Sequence, residues 1–298
     1  MEDSLASIYT VAMQRTHSPT LRRRRLSAEL KRARSNSRMT TTQVVKQLRW
    51  AAGKLSKIEN AETQTVKAED LEALMDLYNI TDGAQRDALH ALAKDAKVRG
   101  WWSKYREVFG PQSLPDFEAE ASTIRTFESS VIPGLLQTPE YTSALLQGGR
   151  FTEPEAISRR VDARVERRQI LTRFSPVRLR VVLDEAALRR PMGSSETMAE
   201  QMHHLLYMAK LPNIDVQVLP FSAGSHAALV ASFSIMEFPE PLDLPIVFIE
   251  TATGGLFLED TEEVEQHSVT FSDAQGSALS TTQSAKFIAD VLKPLESE

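Results

Sequence analysis

Met39-Thr-Thr-Thr-Gln-Val-Val-Lys-Gln-Leu-Arg-Trp-Ala-Ala-Gly-Lys-Leu-Ser-Lys-Ile-Glu-Asn60 is the stretch on which the reading of this chain turns. Thr40 is a ready N-cap, and Val44, Val45 and Leu48 then recur at the spacing of one helical face. Arg49 falls in a tight turn. From about Ala51 to Glu59 a second helix buries Leu55 and Ile58 at i, i+3. Two short helices joined in this way have the outline of a helix-turn-helix, whose second helix enters the major groove of DNA. A plain helical hairpin in a bundle has the same outline, so flanking features have to decide between the two.

Upstream, Leu21, Leu26, Leu30 and Ala33 form an apolar stripe that predicts a helix over 22–34, with Arg22 to Arg25, Lys31, Arg32 and Arg34 on its other faces. Downstream, Leu71, Leu74, Met75 and Tyr78 predict a helix over 68–78. A fifth helix is expected from Gly83, capped by Thr81 or Asp82 and running through Leu89, Leu92 and Val98. Residues 20–108 are therefore expected to form an all-α, five-helix helix-turn-helix domain with a connecting helix, after a disordered tail at 1–19. The Gly/Pro-rich stretch from Phe109 to Pro115 marks a boundary.

Charge supports a polyanion at one end of the chain. The net charge is −5, yet residues 20–60 hold 12 Lys/Arg against 2 Asp/Glu, and residues 239–298 hold 2 against 12. Within the motif the candidate DNA contacts are Thr41, Thr42 and Gln43 at a helix start, Arg49 in the turn, and Ala52, Gly53, Lys54, Ser56, Lys57 and Asn60 on the second helix. Lysine and serine donate to base edges or phosphates, and hydroxyls and backbone N–H groups at a helix start suit phosphate. Arg22 to Arg25 would add sequence-independent attraction.

Residues 109–298 mix element types. Segments 118–129, 139–146, 153–174, 195–210, 261–274 and 280–292 read as helices. Segments 177–183, 214–219, 231–238, 246–250 and 256–258 alternate and are rich in β-branched or aromatic residues, as strands are. Short strands with tight connections predict an α+β domain with a mainly antiparallel sheet, so the chain is expected to be multidomain.

No catalytic set emerges. There is no cysteine, which excludes disulfides, thiolate metal sites and a cysteine nucleophile. His203 and His204 are adjacent and point about 100° apart on a helix, unlike an i, i+4 metal pair. Asp184-Glu185 is either a pair of carboxylates or a helix cap, and capping is the commoner use. No cofactor or metal is expected. No apolar run approaches the roughly 20 residues of a membrane span, and the N-terminus lacks a signal-peptide core, so no membrane association and a cytoplasmic, nucleoid-associated location are expected.

Residues 20–81 resemble an Xre/Cro-type helix-turn-helix through Met39, Thr40, Leu48, Ser56, Ile58, Glu59 and Asn60. They depart from its pattern at Thr41 (usually Gln), Val45 (Ala), Arg49 (Gly) and Ala61 (Gly). Residues 109–292 resemble the C-terminal domain of unknown function of actinobacterial antitoxin-like regulators. The matching pieces are Glu118-Ala-Glu-Ala121, Val131-Ile-Pro-Gly-Leu-Leu-Gln-Thr-Pro-Glu-Tyr141, Arg164-Val-Glu-Arg-Arg-Gln169, Val182-Leu-Asp-Glu-Ala-Ala-Leu-Arg-Arg-Pro191, Gln201-Met-His-His-Leu205, Val216-Gln-Val-Leu-Pro-Phe-Ser-Ala-Gly224 and Ala278-Leu-Ser-Thr-Thr-Gln-Ser284. The resemblance implies a transcription regulator, not an enzyme, that binds double-stranded DNA and is paired with a small protein encoded nearby. A homodimer is expected, with residues 109–298 serving either dimerisation or the binding of that small partner protein. The alternative is a small-molecule effector whose pocket in that region gates DNA binding.

Overall fold

The computed structural model describes residues 19–96, 100–109, 114–149, 151, 153–240, 243–251 and 254–297. They fall into two compact units that divide between Lys104 and Tyr105. Of the tail expected over residues 1–19, all but Pro19, which opens the first helix, lies outside the described residues, as do the continuation of the fifth helix through Val98 and 110–113 of the Gly/Pro-rich stretch.

The first unit contains α1 (Pro19–Asn36), α2 (Thr41–Leu48), α3 (Lys54–Glu59), α4 (Ala68–Leu77) and α5 (Gly83–Asp95). Its core is the set of stripes read from the sequence. Leu26, Leu30, Val44, Leu55, Ile58, Leu71, Leu74, Met75 and Leu89 are buried in one cluster. Two of the starts have a side-chain cap. Thr40 accepts from Gln43 N while Gln43 Oε1 accepts from Thr40 N, a reciprocal cap for α2. Asp82 accepts from Ala84 N and Gln85 N at the head of α5.

An ion pair joins α1 to α3. Arg34 Nε donates to Glu59 Oε1 at 2.7 Å, and a second guanidinium nitrogen donates to Oε2 at 3.0 Å. A third donates to the Met39 carbonyl at 2.8 Å, just ahead of α2. Glu59 is buried, and Arg34 is largely so. Nearby, the Ser27 hydroxyl donates to the Ile58 carbonyl at the end of α3.

Two residues hold left-handed backbone where Xre-type sequences carry glycine. Arg49 ends α2 at φ +54°, and Ala61 follows α3 at φ +56°. The folds there are ordinary helix terminations: Trp50 N donates to Val45 O, and Glu62 N donates to Lys57 O. The departure in sequence therefore leaves the turns intact at the cost of backbone strain, since a Cβ crowds the carbonyl in this region.

The second unit is built on a six-stranded sheet ordered β3-β2-β1-β4-β5-β6. The strands are β1 (Thr123–Glu128), β2 (Arg178–Asp184), β3 (Ile214–Leu219), β4 (Phe233–Glu237), β5 (Ile246–Thr251) and β6 (Gly254–Leu258). The helices after the short α6 (Arg106–Phe109) are α7 (Leu114–Glu120), α8 (Pro139–Gln147), α9 (Pro154–Arg167), α10 (Glu185–Arg189), α11 (Ser195–Met208), α12 (Thr261–Ser277) and α13 (Thr281–Leu295). β1, β2 and β3 are parallel, with α8–α9 and α10–α11 as crossovers. β4, β5 and β6 continue the sheet antiparallel from β1.

The sheet is thus mixed, and the expectation of a mainly antiparallel sheet missed its parallel half. One reason is β1. Phe117, Ala121 and Ile124 fall at i, i+4 and i+7, so a helical period runs from α7 straight into the strand and 118–129 reads as one helix. With that strand hidden the parallel β1–β2 pair is lost from view, while β2 and β3, joined through the helical segment 195–210, already had the pattern of a parallel crossover.

Alternation sends the strand residues to two covered faces. Ile124, Leu179, Val181, Leu183, Val216, Val218 and Met236 pack with α11 and α13 residues such as Met202, Leu205 and Ile288. Phe127, Val182, Phe233, Ile235 and Val247 pack on the opposite face with Val264, Phe271 and Ala274 of α12.

Glu128, at the end of β1, stands deep among protein atoms beside Glu250. Burial first, and then the neighbouring charge, raises its carboxyl from 4.5 to about 7, against hydrogen bonds from Ser232 and Thr126 that favour the anion. A carboxyl raised by folding keeps its proton longer in the native state, so its contribution to stability is complete below pH 4.5 and declines as pH rises to about 7.

Three outcomes follow. Arg34→Met strands a buried carboxylate and costs about 3 kcal/mol in urea unfolding, most of which the double variant with Glu59→Leu restores. Ala61→Gly relieves the left-handed strain and adds about 1 kcal/mol on the same measurement. Glu128→Gln flattens the calorimetric stability profile between pH 5 and 7, and above pH 7 it exceeds the parent protein by on the order of 2 kcal/mol.

Candidate nucleic-acid interface

The local geometry of α2, the turn and α3 follows from which side each residue gives to the core. In α3, Leu55 and Ile58 are fully enclosed, and Glu59 is tied to Arg34. This leaves Gly53, Ser56, Lys57 and Asn60 together at i, i+3, i+4 and i+7, and all four are exposed. The Asn60 amide donates to the Ser56 hydroxyl at 3.3 Å, which steadies the far end of this face.

Thr41, Thr42 and Gln43 are exposed at the start of α2, and Arg49 and Ala52 are exposed in the turn. Gln43 commits its side-chain oxygen to the cap on Thr40, at 2.8 Å from the backbone nitrogen. Lys54 differs from its neighbours. Its ammonium lies 2.6 Å from Asp70 Oδ1 of α4 and 4.2 Å from the centre of the Trp50 ring. It is half-buried against its own domain, and its charge is largely spent on Asp70.

The field of this face is positive without Lys54. Lys46, Arg49 and Lys57 are exposed, and no acidic residue occurs between Met39 and Ile58. Glu59 is neutralised by Arg34, which turns the second acid of the basic region inward. The arginines at 22–25 contribute less than their sequence suggests. All four are half-buried, and Arg23 donates to Thr20 Oγ1 at 3.1 Å.

The sequence reading missed Lys46, although its exposed place one turn before Arg49 was readable from the α2 stripe. It also missed that Glu59 is a structural partner of Arg34. The signal there was an acid buried in the period of Leu55 and Ile58.

In the second unit, the residues weighed for chemistry serve the fold. Asp184 caps α10, accepting from Ala186 N at 2.8 Å. Glu185 accepts from the Phe221 N–H at 2.8 Å and pairs with Arg189 at 2.5 Å. His203 pairs with Glu296, while His204 faces Arg168 at 3.2 Å, so the two rings diverge as expected. Among the described residues no three His, Asp or Glu side chains converge as a metal site.

The segment Pro133–Pro139 is locked from several sides. Gln201, fully buried, accepts from Thr138 N and donates to the Leu136 carbonyl, each at 2.8 Å. Gln137 donates to the Ile132 carbonyl at 2.6 Å and accepts from Arg164. Thr138 then caps α8, with Pro139 at its first turn. Glu118 and Arg167 form a buried bidentate pair at 2.5 and 2.7 Å. Four of the matching sequence pieces are thereby explained as mutual contacts around one crossover.

No helix among the described residues is long and apolar enough to cross a membrane. A helix-turn-helix domain model matches residues 25–89, spanning the α2–turn–α3 geometry described above. Such a domain points to a DNA-binding regulator rather than an enzyme. Comparison with curated proteins and with solved structures gives no match. The model of a domain of unknown function, DUF5753, matches residues 111–290. That match covers more than half of the 298 residues and takes in the whole sheet with most of its helices, so the chain belongs to the DUF5753 family.

Proposed function

We propose that this protein is a sequence-specific, DNA-binding transcription regulator of the Xre type, antitoxin-like, in which residues 20–108 bind DNA and residues 109–298 regulate. The observation that carries the reading is the exposed row Gly53, Ser56, Lys57 and Asn60 on α3, bordered by Lys46 and Arg49 and free of acidic side chains.

On this reading Lys57 and Ser56 meet base edges, where each good pairing gives about 1–3 kcal/mol of discrimination. Ala52 and Gly53 let the groove wall approach closely. Arg49, Thr41 and Thr42 meet phosphates, and Gln43 serves first as a cap. Lys54, held by Asp70, supports the phosphate contacts from the flank rather than reading sequence. A homodimer would present two such helices to half-sites about one helical turn apart. The second unit would then hold the copies together or receive a small partner protein, in the cytoplasm.

The test is binding of the full-length protein to DNA from its own promoter region. Lys57→Ala is expected to weaken specific binding about tenfold and to relax the preferred sequence. Arg49→Ala should weaken specific and unrelated DNA alike, and lower the slope of affinity against salt by about 1. If the double variant Arg49→Ala/Lys57→Ala binds its operator as tightly as the parent, α3 is not the recognition helix.

A further inference from the structure

The two edges of the sheet are treated differently. At β3 the edge is closed. Ser284 of α13 accepts from Val218 N at 2.9 Å, and Leu279 N donates to the Val218 carbonyl at 2.8 Å. The Gln217 side chain reaches the Leu279 carbonyl at 2.9 Å, and Gln275 reaches Gln217 at 2.8 Å. At β6 the edge is open. Beyond its pairing with β5, no backbone–backbone hydrogen bond reaches Gly254 to Leu258 among the described residues, and at the hairpin end the Thr251 hydroxyl donates to the Gly254 carbonyl at 2.6 Å.

Natural edge strands are usually blunted by lysine, proline, a bulge or a covering segment, because a bare row of N–H and C=O groups invites another strand. β6 reads Gly-Gly-Leu-Phe-Leu, with no lysine or proline, and among the described residues no further strand pairs with it. Gly254, Gly255 and Leu256 are exposed. At Gly255 the Phe248 ring occupies the place a side chain would take, 2.0 Å from where a Cβ would stand. The first two residues of the strand therefore carry no side chain, and the Phe248 ring packs over Gly255.

Charge decides the occupant. Between residues 243 and 285 there is no lysine or arginine, and there are eight Asp or Glu. Glu250 is exposed opposite Gly255, and Glu259 and Asp260 follow the strand directly. Arg164 and Arg167 act on Glu250 from the neighbouring crossover, but a second copy laid along this edge would still bring two such acidic stretches together, and like charges across strands are unfavourable. A strand carrying lysine or arginine gains on both counts.

We infer that the open edge of β6 is a docking rail for an extended, basic strand of a partner polypeptide, which would add to the sheet as a seventh strand. This goes beyond the DNA-binding reading and uses a different unit of the chain.

The test uses full-length protein and a fluorescent synthetic peptide of alternating valine and lysine, followed by anisotropy at physiological salt. Controls are an alternating valine and glutamate peptide, and a valine–lysine peptide N-methylated along the pairing side of its backbone. Binding of the first peptide alone is expected. Leu256→Lys should weaken it on the order of tenfold, and Glu250→Lys should act in the same direction should the first variant fold poorly. Three results would overturn the inference: no binding of the basic peptide, equal binding of the methylated one, or a sedimentation dimer that Leu256→Lys dissociates, which would assign the edge to a second copy. Operator binding should be unchanged in Leu256→Lys, and peptide binding unchanged in Lys57→Ala, so the two readings fail separately.

Discussion

The helix-turn-helix unit depends on one buried ion pair. α3 is only six residues long and has no side-chain cap at its start, so it cannot hold its place by helix propensity. Arg34 holds it from outside. The same guanidinium reaches the Met39 carbonyl, and so fixes the ends of α1 and α3 and the approach to α2 through one group. A charge pair that is both buried and fully hydrogen-bonded tolerates little change of angle. The orientation of Ser56, Lys57 and Asn60 is set by this pair together with Leu55 and Ile58, which occupy the other side of the same short helix.

In this half of the molecule the sequence was a good guide. The stripes at Leu26 and Leu30, at Val44, at Leu55 and Ile58, and at Leu71 to Met75 all enter the core, because helical periodicity is a local signal. What it could not show was pairing across helices. Nothing in the order of residues distinguishes Lys57, which projects outward, from Lys54, which folds back on Asp70 and Trp50. Both sit on the polar side of the same stripe, and only the position of α4 separates them.

The sheet unit was legible strand by strand and misread as a whole. β2 to β6 announce themselves by alternation, but β1 continues the helical period of α7, and its neighbour relations are invisible without it. That strand is where the parallel and antiparallel halves meet, so its loss hid the junction, although the crossover from β2 through α10 and α11 to β3 was itself a parallel signal. The pieces of sequence that carried the family resemblance proved to be partners of one another: Glu118 with Arg167, Gln137 with Arg164, and the Pro133–Pro139 segment with Gln201. Reading each as a motif gave no role for any, since each role lies in a contact between two pieces far apart in the chain.

Arg49 and Ala61 have a consequence for how this protein can change. Every arginine and alanine codon lies a single base from a glycine codon. Each of the two strained helix ends can therefore relax in one mutational step, without an intermediate that unfolds. At Ala61 such a step removes nothing but a methyl group. At Arg49 it also removes a cation from the rim of the α2–α3 turn. The two positions are alike in backbone and unlike in what relaxation would forfeit, so only at Arg49 are stability and surface charge bound to the same codon.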